Sequence, residues 1–128
     1  MSETWARRLL ILSALWSFVG AISALAAPAR HFDLLYNSSL ALDQPLESFF
    51  YRCTWISVLG WGGTYLLAGL IPASRKSVLI PGGLGKVAFF FACLTLHSSG
   101  VGKTAILVAG SVDLALAVVF GVILFRTS

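Results

Sequence analysis

Charge is what this sequence has least of. Only 11% of its 128 residues are charged, against roughly 25% in an ordinary soluble domain, and this excludes a water-soluble globular fold. Cysteine is also scarce. Cys53 and Cys93 are the only two, too few for a disulfide framework and no guide to a redox compartment. A bond between them would need adjacent and suitably rotated helices, so two small buried thiols are the simpler expectation. Histidine is limited to His31 and His97. They are not an embedded pair and no covalent attachment motif accompanies them, so haem is not expected. No acid stands near His97 to orient it beside Ser98 and Ser99, so these neighbours make no hydrolytic triad. Internal repeats and low-complexity tracts are absent.

What fills the chain instead is apolar sequence. Hydrophobic residues make up 58% of it and the mean hydropathy is +0.89. They fall into four blocks, residues 9–27, 50–70, 77–98 and 104–125, each near the roughly 20 residues that a helix needs to cross hydrocarbon. The expected fold class is therefore an all-α membrane protein. Its four transmembrane helices would form an up-down-up-down bundle, with residues 1–128 as a single domain and the lipid bilayer as the first partner. The net charge of +4 does not imply nucleic acid, because the basic residues are dispersed and flank the blocks. Arg7, Arg8, Arg75, Lys76 and Arg126 fall on one side of a four-span arrangement, and Arg30, Arg52 and Lys103 on the other. The richer side is expected to be cytoplasmic, which places both termini inside, in a bacterial inner membrane. Arg7 and Arg8 before an apolar segment, with Ala24, Leu25 and Ala26 following, resemble a secretory signal. A stretch long enough to span favours a retained first helix.

The helices should associate through small residues, which let backbones approach closely in lipid. Ser13, Ser17, Gly20 and Ala24 form such a stripe on the first span. Cys53, Ser57, Gly60 and Thr64 suggest another on the second, with Trp55, Trp61 and Tyr65 supplying bulk elsewhere. Gly110, Asp113, Ala117 and Gly121 suggest one on the fourth. Residues 29–48 mix apolar and polar side chains and read as an outer interfacial loop or short helix. Asp43, Pro45 and Glu47 make a reasonable start for the second helix, with the carboxylate capping free amides. Asn37, Ser38 and Ser39 match a glycosylation sequon, relevant only in a eukaryotic secretory pathway.

The chemistry concentrates in the last fifty residues. Lys86 and Asp113 each lie inside an apolar block, where one ionised side chain costs about 2.5–3.5 kcal/mol at the centre of a span. Each should sit about 13.5 Å into its helix at 1.5 Å per residue, so antiparallel helices would bring them together near the midplane as an intramembrane polar pair. Before Lys86 stand Pro81, Gly82, Gly83 and Gly85. They could interrupt the third helix as a gate, or mark its entrance, in which case Lys86 would snorkel to the headgroups. They do not form a Walker phosphate loop, lacking its outer glycine spacing and the hydroxyl residue after lysine. Beyond Lys86 the same helical face continues through Phe90, Cys93 and His97. Cys53, Cys93, His97 and His31 make the only conceivable Cys/His metal constellation, and no compact motif fixes their geometry; no metal or other cofactor is expected.

Few polar groups remain for independent catalysis. The leading expectation is a structural or accessory subunit of a homo-oligomer or larger membrane complex, with Lys86 and Asp113 fixing helix register. The alternative is a proton-coupled small-solute transporter or ion channel in which Asp113 titrates and Lys86 biases its charge. A third reading is a lipid-, quinone- or metal-binding component of a membrane enzyme.

Overall fold

The computed structural model describes residues 1–38 and 43–127. Among the described residues the chain is all helical: α1 (Glu3–Ala26), α2 (Pro28–Leu35), α3 (Pro45–Leu70), a 3₁₀ turn (Pro72–Ser74), α4 (Arg75–Ser98) and α5 (Thr104–Thr127). Prolines set most of the boundaries. α1 stops just before Pro28, which opens α2, and Pro45 opens α3. In each case the missing N–H falls where a helix start has no intrahelical partner for it. Pro72 opens the turn that follows α3. Asp43 does not cap α3, because the N-cap is Gln44 and it makes no side-chain capping bond. Within the stretch 29–48, α2 ends at Leu35 and α3 begins at Pro45. Residues 39–42, with the third residue of the sequon, lie outside the described residues.

Among the described residues three helices are long and apolar enough to cross a membrane: Glu3–Ala26, Pro72–Ser98 and Thr104–Arg126. The expectation was four. α3 has the length, at 26 residues, but Trp55, Trp61, Gly62, Gly63, Thr64 and Tyr65 dilute its hydropathy and Glu47 and Arg52 add charge near its start.

The helices pack as two pairs. α1 and α3 lie against each other along their length, as do α4 and α5, while the backbones of the two pairs approach each other less closely. Small residues set the register of the first pair. Trp55 lies against Gly20, Phe18 against Gly62 and Leu10 against Gly69, so the two helices run antiparallel. At Gly62 an added Cβ would lie 2.7 Å from the Phe18 ring, which makes the glycine a seat for that ring. The buried face of α3 is Gly62, Tyr65, Ala68 and Gly69, not the expected stripe of Cys53, Ser57, Gly60 and Thr64. Ser57 and Gly60 are exposed. Hydroxyls need not point inward, because they can bond to their own helix, and Thr64 does so to the Trp61 carbonyl at 2.8 Å. On α1 the expected stripe is largely buried, with Ser13, Ser17 and Ala24 inside.

Gly110 seats against Cys93, again closely enough that a Cβ would meet it at 2.8 Å. Towards its C-terminal end α5 turns a different face inward. Phe120 and Ile123 enter a core with Ala6, Leu10, Tyr65 and Leu79, and Gly121 is left exposed with open space where a side chain would be. The fourth-span stripe thus packs at one end only.

The two pairs are joined at three levels. At one end Arg75 bonds to Glu3, and at mid-height Tyr65 packs on Phe120. At the other end a clasp of backbone bonds links residues 35–37 to the α4–α5 turn: Asn37 N–H donates to the Val101 carbonyl at 2.7 Å and Lys103 N–H to that of Leu35 at 2.8 Å. Gly100, with φ of 86°, makes that turn possible. Its left-handed conformation ends α4 at a position that glycine occupies without steric cost.

Candidate functional site

α4 begins at Arg75 and runs unbroken through Pro81. Proline removes one hydrogen bond from the ladder, a loss that membrane helices absorb through neighbours and small local adjustments. Pro81, Gly82, Gly83 and Gly85 are therefore interior to the helix and are not its entrance. Lys86 stands about 16.5 Å along α4 and Asp113 about 13.5 Å along α5 at the standard rise.

Lys86 does not snorkel. Its ammonium donates to Asp113 Oδ1 at 2.6 Å, with the two side chains 8% and 13% exposed. The antiparallel register that sets Gly110 against Cys93 and Gly83 against Phe120 leaves residue 113 about one turn from the level of residue 86, and the long lysine side chain closes that gap. A third residue completes the cluster. Lys86 Nζ lies 5.1 Å from the centroid of the Tyr65 ring, within the range of a cation–π interaction. Tyr65 is itself buried, 5.1 Å from the Phe120 ring centroid. Of the four glycine-rich-stretch residues, Gly82 is the one against Tyr65, where a Cβ would meet the ring at 2.8 Å. Gly83 approaches Phe120, and Gly85 opens onto free space. Two hollows lie elsewhere. One of about 540 Å³ sits at the clasp end beside Asn37, His97 and Lys103, and an apolar groove of about 360 Å³ runs along the outer face of α4 and α5 beside Gly83, Leu84 and Gly121. Neither is lined by Lys86 or Asp113.

The four conceivable metal ligands are not gathered. Among the described residues no three His, Cys, Asp or Glu side chains group together. Cys53 and Cys93 are free thiols, the second buried. His31 shares a hydrogen bond with the Tyr51 hydroxyl, and its ring meets Trp55 edge-on at 4.5 Å. Burial lowers the His31 pKa below its ordinary 6.5 and raises that of Tyr36 above 10.0. Both shifts follow from burial, which disfavours the charged form. His97 is half-buried at the end of α4, where its carbonyl receives the Gly100 N–H.

Two polar features escape the sequence reading. Arg75, there a marker of topology, is 4% exposed. Its guanidinium forks onto Glu3 at 2.8 and 2.6 Å, and its Nε donates to the Ala68 carbonyl at 2.9 Å. One side chain thus ties the start of α1, the end of α3 and the start of α4. The available signal was Glu3, the one acid near the cation-rich ends. Tyr65 is the other, and its signal is harder to see, because only the spatial gap at Gly82 brings it to Lys86. No protein family, curated protein or solved structure matches this chain.

Proposed function

We propose that this is a small integral membrane protein whose four long helices all cross the bilayer, up-down-up-down, and that it serves as a structural or accessory subunit of a homo-oligomer or larger membrane complex. α3 supports the four-span reading, since it lies antiparallel against α1 over the length that α1 would span. The cation-rich ends, with Arg7, Arg8, Lys76 and Arg126, belong on the cytoplasmic side of a bacterial inner membrane.

The observation that carries the proposal is the closure of the Lys86–Asp113 pair. The two groups neutralise each other at 2.6 Å between neighbouring helices and line neither hollow. A polar contact of this kind fixes the register of a hairpin that is otherwise apolar and free to slide. The test joins assembly to flux. Asp113→Asn and Lys86→Met should reduce the assembled fraction in mild detergent, measured by native mass, and wild-type liposomes should show no pH-driven flux.

One observation favours the transport reading: the Asp113 side chain keeps 13% of its surface exposed, and intramembrane carboxylates are frequent sites of proton exchange. A wild-type proton or solute flux that Asp113→Asn abolishes, with assembly intact, would replace the structural role with that one.

A further inference from the structure

We infer that Tyr65 is a positioning residue for the Lys86–Asp113 pair, holding the ammonium by its ring face from the opposite helix pair, and that Gly82 is the gap that lets it reach. This rests on the register-fixing reading of the ion pair and extends it across the boundary between the two hairpins.

Lys86 and Asp113 both belong to the α4–α5 pair, so their bond alone says nothing about where α1 and α3 sit. The ammonium is a short cation with three donors, and the hydrogen bond to Asp113 Oδ1 uses one of them. In hydrocarbon the rest of its charge has no water to face. The Tyr65 ring centroid is 5.1 Å away on α3, and a ring face is the negative end of its quadrupole. Lys86 is therefore bounded by a carboxylate from its own hairpin and by an aromatic face from the other. The approach is sterically specific. A Cβ at position 82 would stand 2.8 Å from Tyr65 Cε1 and 3.0 Å from its hydroxyl oxygen, so any larger residue displaces the ring. Phe120 supports the ring from α5. Elsewhere the pairs meet through the shared core of Ala6, Leu10, Leu79 and Ile123; at Lys86 it is the Tyr65 contact that transmits the position of α3 to the ion pair.

The test reads Lys86 directly in the whole protein in detergent micelles, by NMR of lysine labelled with ¹³C and ¹⁵N, its signal assigned by its absence from Lys86→Met. The ring current should shift the Lys86 ε-methylene upfield of those of Lys76 and Lys103. Tyr65→Phe should retain that shift, while Tyr65→Leu and Gly82→Ala should each lose it. A second measurement does not depend on the leucine variant folding. Phenylalanine rings carrying increasing numbers of fluorines, placed at position 65, keep their bulk while draining the negative face, and the thermal midpoint should fall step by step with fluorine number. A Lys86 signal that responds to Asp113→Asn but not to Tyr65→Leu or Gly82→Ala overturns the role of Tyr65 and leaves the pair in place. A signal insensitive to Asp113→Asn as well overturns the pair itself. A midpoint independent of fluorination reduces Tyr65 to apolar packing.

Discussion

Among the described residues two ion pairs have the same closest distance, 2.6 Å, in opposite circumstances. Glu3–Arg75 lies at the helix ends, with the Glu3 side chain 53% exposed. Arg75 meets it as a fork and also bonds to the Ala68 carbonyl. Lys86–Asp113 is a single bond between two nearly buried side chains. The first pair has water as a substitute for its carboxylate, and its specificity lies in geometry, because a planar guanidinium can address a carboxylate and a helix end at once. The second has no substitute. Its members are held together because no water stands in for either charge in hydrocarbon. Strength of contact in a structure and dependence on that contact are therefore different properties, and the surroundings decide the second.

The largest effect should come from breaking the inner pair on one side. Lys86→Met or Asp113→Leu leaves a lone charge among apolar neighbours, and such a loss costs about 3–5 kcal/mol when a buried partner is removed. Reversible unfolding in mixed micelles measures it. The double variant Lys86→Met/Asp113→Leu should be more stable than either single one, because no orphan charge remains. Additive destabilisation would mean that the two side chains act separately, against the contrast drawn between the pairs.

Arg75→Ala should come next, at about 1–3 kcal/mol, the cost of leaving buried carbonyls without their donor. Arg75→Lys should recover only part of it, since one ammonium cannot reach Glu3 and Ala68 in a fork. Glu3→Gln should have a smaller effect, and it should vanish as salt is raised, because exposed charges are screened over about 10 Å at 0.1 M. An equally large, salt-insensitive loss at Glu3 would erase the difference between the two sites.

The smallest effect belongs to α2, where His31 meets Tyr51 and Trp55. Burial holds the pKa of His31 below 6.5. The unfolded chain therefore takes up this proton first, so stability is full above pH 6.5 and declines as pH falls below it. A melting series from pH 8 to pH 5, compared with His31→Phe, isolates that slope; it should be absent from the variant.

How much of this was legible in the sequence depends on which property decides each feature. Helix positions follow from apolar block length and proline placement, and both are written locally. The meeting of Lys86 and Asp113 follows from the cost of charge in lipid together with their equal depth. The packing face of α3 was not legible. Ser57 and Thr64 look inward by polarity, yet a hydroxyl can satisfy itself on its own backbone, and the shape of Phe18 selects Gly62 instead. Arg75 misled for a related reason. A basic residue at a helix end serves equally as a topology marker or a buried clamp, and only the folded position of Glu3 distinguishes them. Tyr65 required three helices to be placed before its ring had anything to face.

The clasp between residues 35–37 and the α4–α5 turn bears on the order of biosynthesis. Asn37 and its Gly100 acceptor are 63 residues apart in sequence, and the same clasp needs Val101 and Lys103 beside it. A chain made from its N-terminus has α1 and α3 in place well before this turn is synthesised. During that interval Leu35 and Asn37 lack the partners that the clasp supplies. Nascent chains arrested before Gly100 should expose this segment to protease, and extension past Lys103 should protect it.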